Sequence, residues 1–299
     1  MGKRRISKNQ RILTLILSLF VIVSAVYFLV IHLNDMPAAK PAATADGELL
    51  SVQFIDVGQA DSTLISLSTG ETMLIDAGES TSANSVFEEL DERGIKDIDI
   101  LVATHPHADH IGGMLSLLGR YDIGQVLMPD MTSDSKTYVK LLQAIKIESI
   151  PLVEAYAGYR FSFGSAVCTV VSPSADDNKD ANNESVVIYL DFGDTDFLFT
   201  GDMEEWAEKR VLDSNYYVDA DVLKVAHHGS STGSSEAFLC AVTPHYAVIS
   251  CGRSNDYGHP HAETLDRLEE AGAEIYRTDI QGDILFISDG STLIASTDG

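Results

Sequence analysis

Short apolar runs separated by turn residues recur along most of this chain. Apolar-rich runs bounded by Gly, Asp, Asn and Ser predict strands, whereas apolar positions three and four residues apart predict helices. The pattern predicts strands over 49–57, 62–67, 72–76, 98–103, 126–128, 149–153, 166–171, 185–192, 197–200, 222–226, 246–250, 274–276 and 283–288, and helices over 85–93, 114–118, 204–212 and 262–271. Many short strands with helices between them favour a layered α/β domain, in which helices cover packed sheets.

The first 47 residues have a different pattern. Residues 1–11 are polar and basic, and residues 12–33 are almost continuously apolar, which is long enough to cross a bilayer as a helix. Residues 34–47 are rich in Pro and Ala and predict a linker, so the folded domain occupies 48–299. Because basic flanks stay on the cytoplasmic side, we expect a single-pass anchor in the cell membrane with the domain outside the cell.

Two alternatives to the anchor stay open. A cleaved signal peptide would secrete the domain, and Ala43-Thr44-Ala45 resembles a cleavage site. That site lies well beyond the apolar run, which is itself longer than a signal core of about 7–15 residues, so we favour the anchor. The other alternative is a buried core helix.

The domain is strongly acidic. The chain has 45 acidic and 20 basic residues, of which two acidic and six basic residues lie in 1–47, so 48–299 carry 43 acidic against 14 basic residues. Such a domain repels polyanions at long range, which argues against tight sequence-independent DNA binding by the domain alone. The three cysteines form no Cys-x-x-Cys motif and are expected to be small buried residues, with a Cys240–Cys251 bridge as the alternative.

Candidate metal ligands concentrate in one heptapeptide, Thr104-His105-Pro106-His107-Ala108-Asp109-His110, which directly follows the predicted strand 98–103. Imidazole and carboxylate groups together suit zinc, iron and manganese. Alternate residues of an extended segment face the same way, so His105, His107 and Asp109 are expected to converge. A turn would then bring His110 to a second ion. The alternative is a surface loop that is merely rich in His.

The spacing His-x-His-x-Asp-His matches the signature of the metallo-β-lactamase fold, which this chain resembles. The resemblance implies an αββα sandwich and two divalent metal ions, Zn²⁺ or Mn²⁺. In that fold an Asp after a strand bridges the two ions, and Asp202 has this position after the strand 197–200. The implied metal ligands are His105, His107 and Asp202 for one ion and Asp109, His110, Asp202 and His227 for the other.

The remaining His residues near the predicted centre are candidates for metal binding or for the chemistry. We assign His227 to the metal because it comes first after its strand, and His228 is then either the alternative ligand or a substrate or proton-transfer group. His259 and His261 are candidates for the general acid, or loop residues with no chemistry. The predicted catalytic residues are Asp109, His228, His259 and His261.

Further segments resemble the extracellular metallo-β-lactamase-like domain of ComEC-type DNA-uptake proteins. They are residues 54–62, 74–78, 182–186, 200–202, 224–230, 257–261 and 278–282, and together the resemblance spans about 49–288. One departure is that no His lies between His110 and His227, where many enzymes of this fold place a further ligand. The stretch there contains Asn182, Asn183 and Ser185, which would make the first site oxygen-rich and favour manganese. These residues would otherwise bind substrate or cap a turn.

The resemblance implies hydrolysis of a phosphodiester by a hydroxide shared between two ions. In ComEC-type proteins this domain is associated with DNA degradation during uptake, so the expected partners are the membrane, DNA or a small phosphodiester, and DNA-uptake machinery. One apolar segment would not form a DNA channel, so we expect action beside such a channel or a free-standing surface hydrolase. The alternatives are an ester, amide or lactam hydrolase, which usually has the further His, and a non-catalytic surface binding domain.

Overall fold

Residues 47–174 and 180–298 are described by a computed structural model, and their strands form two sheets. The strands are β1 (Leu50–Phe54), β2 (Thr63–Leu67), β3 (Thr72–Ile75), β4 (Asp97–Val102), β5 (Asp122–Pro129), β6 (Leu152–Ala155), β7 (Arg160–Phe163), β8 (Ala166–Ser172), β9 (Val187–Phe192), β10 (Thr195–Phe199), β11 (Val222–Lys224), β12 (Tyr246–Ile249), β13 (Glu274–Arg277), β14 (Ile284–Ser288) and β15 (Leu293–Thr297).

Each sheet combines an antiparallel part with a parallel part. The first sheet has the order β15-β14-β1-β2-β3-β4-β5-β6, and the second has the order β13-β12-β11-β10-β9-β8-β7. Strands β3 to β6 run parallel in the first sheet, as do β10 to β13 in the second. Loops at the carboxyl ends of parallel strands are the usual place for a ligand site in such sheets.

Helices cover the outer face of both sheets. They are α1 (Ala83–Glu92), α2 (Ala108–Ile111), α3 (Met114–Leu118), α4 (Lys136–Glu148), α5 (Glu205–Asp213), α6 (Glu236–Val242), α7 (Ala262–Glu270) and α8 (Thr278–Gln281). Apolar residues of α1, α3 and α4 pack on the first sheet, and those of α5, α6 and α7 pack on the second.

The central core lies between the sheets. Phe54 and Val102 from the first sheet pack in one cluster with Phe197 and Phe199 from the second. On β10, Phe197 and Phe199 face this core while Leu198 faces the helices, so the strand is buried on both sides. The order of layers is therefore helices, first sheet, second sheet, helices, with an apolar cluster between each layer and the next. The predicted αββα sandwich is confirmed.

Four helices and two strands escaped the sequence prediction. Helix α4 has a buried stripe of Tyr138, Leu141 and Ile145, but Val139 and Ile147 are exposed, so apolar residues occur on both faces and blur the helical period. The other helices are α6 and the short α2 and α8, which have 4 residues each, and the strands are β7 and β15, which lie at sheet edges.

The predicted basic tail, membrane segment 12–33 and most of the linker lie outside the described residues. Within the described ranges, no helix is long and apolar enough to span a membrane. The three cysteines are free, with Cys168 and Cys251 buried and Cys240 exposed, so the Cys240–Cys251 bridge is absent.

Candidate metal centre

The candidate centre lies where the carboxyl ends of parallel strands from the two sheets meet. His105 and His107 follow β4, Asp202 follows β10, and the His227-His228 pair follows β11. The chain becomes helical at Ala108, so Asp109 and His110 belong to the first turn of α2 rather than to an extended segment. The predicted alternation therefore holds only as far as His107.

The first group of ligands consists of His105, His107 and Asp202, whose donor atoms lie within 4.8 Å of one another. The Thr104 hydroxyl donates to Asp76 Oδ2 at 2.6 Å, so it accepts from His105 Nδ1–H at 3.2 Å. This leaves the lone pair of His105 Nε2 directed at the group, 3.0 Å from His107 Nδ1 and 3.8 Å from Asp202 Oδ2. A cation suits this arrangement, because it accepts lone pairs from both rings.

The second group contains Asp109, His110, Asp202 and His228, again within 4.8 Å. His110 Nδ1 lies 2.7 Å from Asp76 Oδ2, which turns Nε2 toward Asp202 Oδ1 at 3.3 Å. Both His110 Nε2 and Asp202 Oδ1 are buried and make no hydrogen bond. Buried polar atoms normally have partners, so two such atoms facing each other fit a divalent cation between the ligands.

The adjacent residues His227 and His228 occupy different surroundings. His228 is buried, with Nδ1 3.0 Å from the carbonyl oxygen of Ser250 and Nε2 3.2 Å from Asp109 Oδ2. His227 is half-buried, and its Nδ1 lies 3.3 Å from Glu204 Oε1. The second group therefore contains His228, whereas the sequence favoured His227 as the ligand, and the geometry supports the alternative.

A third cluster of possible metal ligands lies on the Nδ1 side of His110, but the ammonium group of Lys224 already lies beside it. Asp61, Asp76 and His110 approach one another within 4.8 Å, and Lys224 Nζ lies 2.7 Å from Asp61 Oδ2. Lys224 also donates to the carbonyl oxygen of Val225 at 2.9 Å. The ammonium group neutralises Asp61, so this group braces the centre rather than holding a metal ion.

Burial and charge pull the ionisation of the ligands in opposite directions. Burial lowers the pKa of His105 well below its usual value. Burial would also lower the pKa of His228, but the charges of Asp202 and Asp61 raise it to about 10. For Asp109, burial raises the pKa, while the hydrogen bond from His228 and the charge of His110 outweigh it and bring it to about 2. The carboxylates are thus kept ionised, as metal ligands must be.

The sequence profile described as "Metallo-beta-lactamase superfamily" matches residues 55–253. This match covers most of the domain and all of the ligands described above. The chain belongs to the metallo-beta-lactamase superfamily. Its members share the metal-dependent hydrolase fold, and the clustered His and Asp residues suit divalent metal binding.

Relatives within the superfamily include competence proteins. ComE operon protein 3 of Bacillus subtilis is 32% identical over 263 residues, which are 82% of this chain and 34% of that protein. Competence protein ComA of Neisseria gonorrhoeae is 29% identical over 261 residues, 86% of this chain and 35% of that protein. The predicted resemblance to competence proteins is confirmed, and the chain spans about a third of the length of these relatives.

Solved structures agree on the fold. The E377D mutant of the CmlA beta-hydroxylase has a TM-score of 0.53 at 16% identity, covering 84% of this chain and 54% of that one. A putative metal-dependent hydrolase from Parabacteroides distasonis has a TM-score of 0.50 at 15% identity, covering 82% and 99%. At these identities the likeness concerns the fold alone.

The stretch 182–185, where many enzymes of this fold have a further His, contains two residues that brace the site and one whose side-chain oxygen has no hydrogen bond. Asn183 Oδ1 accepts from the N–H of Ala207 at 3.2 Å, and Ser185 Oγ accepts from the N–H of Asp202 at 3.1 Å. Ser185 Oγ also lies 3.5 Å from His105 Nδ1. Asn182 instead lines the cavity beside His107 and Asp202, and its Oδ1 is shielded from solvent without a hydrogen bond. Asn182 is the oxygen donor that the first group has available.

The centre opens into a cavity of about 460 Å³. His259 lines this cavity, and burial together with the charge of His227 lowers its pKa to about 4. His261 instead accepts from the N–H of Ser231 at 2.9 Å and approaches the carbonyl oxygen of Tyr257 at 3.3 Å. The geometry brings His259 to the centre and leaves His261 as a brace between loops.

Some residues near the centre were missed, and one acidic residue of the segment 54–62 lies away from it. Lys224 and Glu204 were not predicted, although a Lys inside the apolar run of β11 was a visible signal. Asp56, in the segment 54–62, is exposed and lines a separate cleft of about 670 Å³ beside α1 and β14, and its Oδ1 accepts from the N–H of Gly58 at 3.1 Å.

Proposed function

We propose that this chain is a metal-dependent phosphodiesterase. The observation that supports it most directly is that two ligand groups share Asp202, so that two cations would lie side by side under one cavity. A pair of divalent cations lowers the pKa of water and offsets negative charge on phosphoryl oxygens. A centre built for adjacent cations suits a substrate whose reacting group is itself anionic.

In this proposal each ligand group holds one ion. His105, His107 and Asp202, with Asn182 beside them, would hold the first, and Asp109, His110, Asp202 and His228 would hold the second. An amide oxygen is a harder ligand, in the sense of hard and soft acids and bases, than an imidazole nitrogen. The first site is therefore expected to favour Mn²⁺ over Zn²⁺.

The chain's own side chains would then handle the leaving group. Gln59 Oε1 accepts from the N–H of Gly252 at 2.9 Å, so its amide nitrogen faces His259 Nδ1 at 3.3 Å and donates to it. The proton of His259 therefore resides on Nε2, from which it orients the leaving oxygen. The pKa of His259 is low, so this residue is a poor source of a proton at neutral pH. We therefore assign proton donation to the leaving oxygen to His227, whose Nδ1 lies 3.3 Å from Glu204 Oε1.

The substrate and location are further parts of the proposal. Relatives named as competence proteins support DNA or a small phosphodiester as substrate and a partnership with DNA-uptake machinery. The acidity of residues 48–299 favours short substrates over long polyanions. We propose that the apolar segment 12–33 anchors the domain at the outer face of the cell membrane, with secretion after cleavage as the alternative.

The test is hydrolysis of bis-p-nitrophenyl phosphate by the full chain in a mild detergent. The protein is stripped of metal, reloaded with Mn²⁺ or Zn²⁺, and compared with Asp202→Asn. We expect turnover that requires metal and falls to background in the variant, because Asp202 belongs to both ligand groups. No turnover in protein shown to bind two ions would overturn the phosphodiesterase proposal and favour esters, amides or lactams. Failure to bind ions would favour the non-catalytic alternative.

A further inference from the structure

Tyr257 is an exposed aromatic residue at the mouth of the cavity. Its side chain is 70% exposed although it lines the same cavity as Asp109 and Asp202. Its ring lies 5.7 Å from the ring of His259 with an interplanar angle of 23°. The ring of His259 in turn lies 6.3 Å from that of His228 at 26°. Three nearly parallel rings therefore lead from the metal ligands out to solvent.

The loop that carries this ring is held in place by hydrogen bonds. Asn255 Oδ1 accepts from the N–H groups of Tyr257 at 3.1 Å and His259 at 3.0 Å, and its amide donates to the carbonyl oxygen of Gly252 at 3.0 Å. Gln59 ties the same loop to the centre through Gly252 and His259. The exposed ring is thus oriented before any ligand arrives, which limits the entropy lost when one binds.

The cavity offers a substrate little positive charge from side chains. Its lining, as far as the described ranges extend, includes no Lys or Arg. Phosphate contacts to basic side chains, the usual source of nucleic-acid affinity, are therefore missing from this wall. Stacking on an aromatic ring is the other general source, since every nucleobase has a π-face.

We infer that Tyr257 is a stacking platform for a nucleobase next to the phosphodiester that is cleaved. This inference rests on the proposed phosphodiesterase function and narrows its substrate to single-stranded nucleic acid or short nucleotides. A phosphodiester of glycerol or sugar units has no aromatic ring to stack on the platform. Tyr257 is a specificity-determining residue, and removing its ring leaves the metal ligands intact.

Two single-stranded substrates with the same phosphodiester backbone provide the test. One is a short oligothymidylate, and the other has tetrahydrofuran abasic units in place of every nucleoside. With the Mn²⁺-loaded full chain, we expect kcat/KM to be about tenfold higher for the strand with bases, which is the scale of one stacked base. Tyr257→Ala should bring the ratio of the two kcat/KM values close to one, and Tyr257→Phe should keep the preference for the strand with bases.

Tyr156 provides the matched control. It is 52% exposed, its ring lies 5.7 Å from that of Tyr159, and it is not among the cavity-lining residues, so Tyr156→Ala should leave cleavage of both substrates unchanged. Equal cleavage of both strands by the wild type, or an unchanged preference in Tyr257→Ala, would overturn the platform while leaving the phosphodiesterase proposal standing. Cleavage of neither strand would overturn the platform, and absence of bis-p-nitrophenyl phosphate turnover as well would overturn the proposed function.

Discussion

His228 Nδ1 lies 3.0 Å from the carbonyl oxygen of Ser250 at the end of β12. A carbonyl oxygen only accepts hydrogen bonds, so the Nδ1 atom of His228 carries a proton. The other ring nitrogen, Nε2, then faces Asp109 at 3.2 Å and Asp202 at 3.7 Å. Backbone contact thus fixes the tautomer and the direction of this ring, as is usual for a metal-ligating His.

The adjacent His pair gives a matched comparison of ligand roles. We expect His228→Ala to bind one Mn²⁺ ion per chain where the wild type binds two, because His228 belongs to the second ligand group. His227→Ala should keep two ions and lose activity only. Metal content after dialysis, measured by elemental analysis, checks both. Loss of an ion from His227→Ala with two ions retained in His228→Ala would reverse the assignment.

Asn182 is expected to set the metal preference of the first site. Changes around a metal site alter its affinity by about 10–100-fold, so Asn182→His should raise zinc affinity relative to manganese by at least about tenfold. Competition titrations of Zn²⁺ against Mn²⁺ measure this ratio. Asn182→Ala is the control, which should weaken Mn²⁺ binding without the gain for Zn²⁺. An unchanged ratio in Asn182→His would show that residue 182 does not contact the ion.

The positions of ligands at strand ends were predictable, because an apolar run followed by a His or Asp can be recognised in the sequence. Both His105 and Asp202 follow such runs and lie where the sequence placed them, at strand ends. The order of His227 and His228 was not predictable in this way. Both residues have left-handed backbone angles, with φ of 49° and 54°, so the chain turns twice and the second His after the strand is the one grouped with Asp109 and His110.

Contacts between distant segments were the other part that the sequence could not provide. Asp61 and Lys224 are 163 positions apart, and no local pattern pairs them. Their meeting depends on the two sheets being packed face to face, which brings the loop after β1 to the end of β11. The different roles of Asn182 and Asn183 likewise depend on the position of α5, because the N–H of Ala207 in this helix donates a hydrogen bond to Asn183 Oδ1.

The raised pKa of His228 predicts a specific pH dependence for metal-free protein. The folded-state pKa of about 10 lies above the usual value of 6.5. Protonated His228 therefore stabilises the fold fully below about pH 6.5, and this contribution is lost as the pH rises to about 10. Urea unfolding across this range should show falling stability, with a smaller fall in His228→Gln. Since the pKa of His110 is also raised, some dependence should remain. Identical curves for wild type and variant would contradict the prediction.

Lys224 and Asp61 should be strongly coupled in stability. Their side chains are 3% and 6% exposed, so Lys224→Met removes the ammonium group from a buried carboxylate, which keeps the contact of its Oδ1 with His228 Nδ1 at 3.2 Å. Removing one partner of a buried ion pair costs about 3–5 kcal/mol, whereas removing both costs much less. In urea unfolding of metal-free protein, Lys224→Met/Asp61→Asn should therefore be more stable than the sum of the single changes implies. The exposed pair Lys209–Asp213, at 3.1 Å, is the control, and Lys209→Met should change stability by less than about 1 kcal/mol. Additive effects at Lys224 and Asp61 would mean that the two charges are separately solvated and do not brace the centre together.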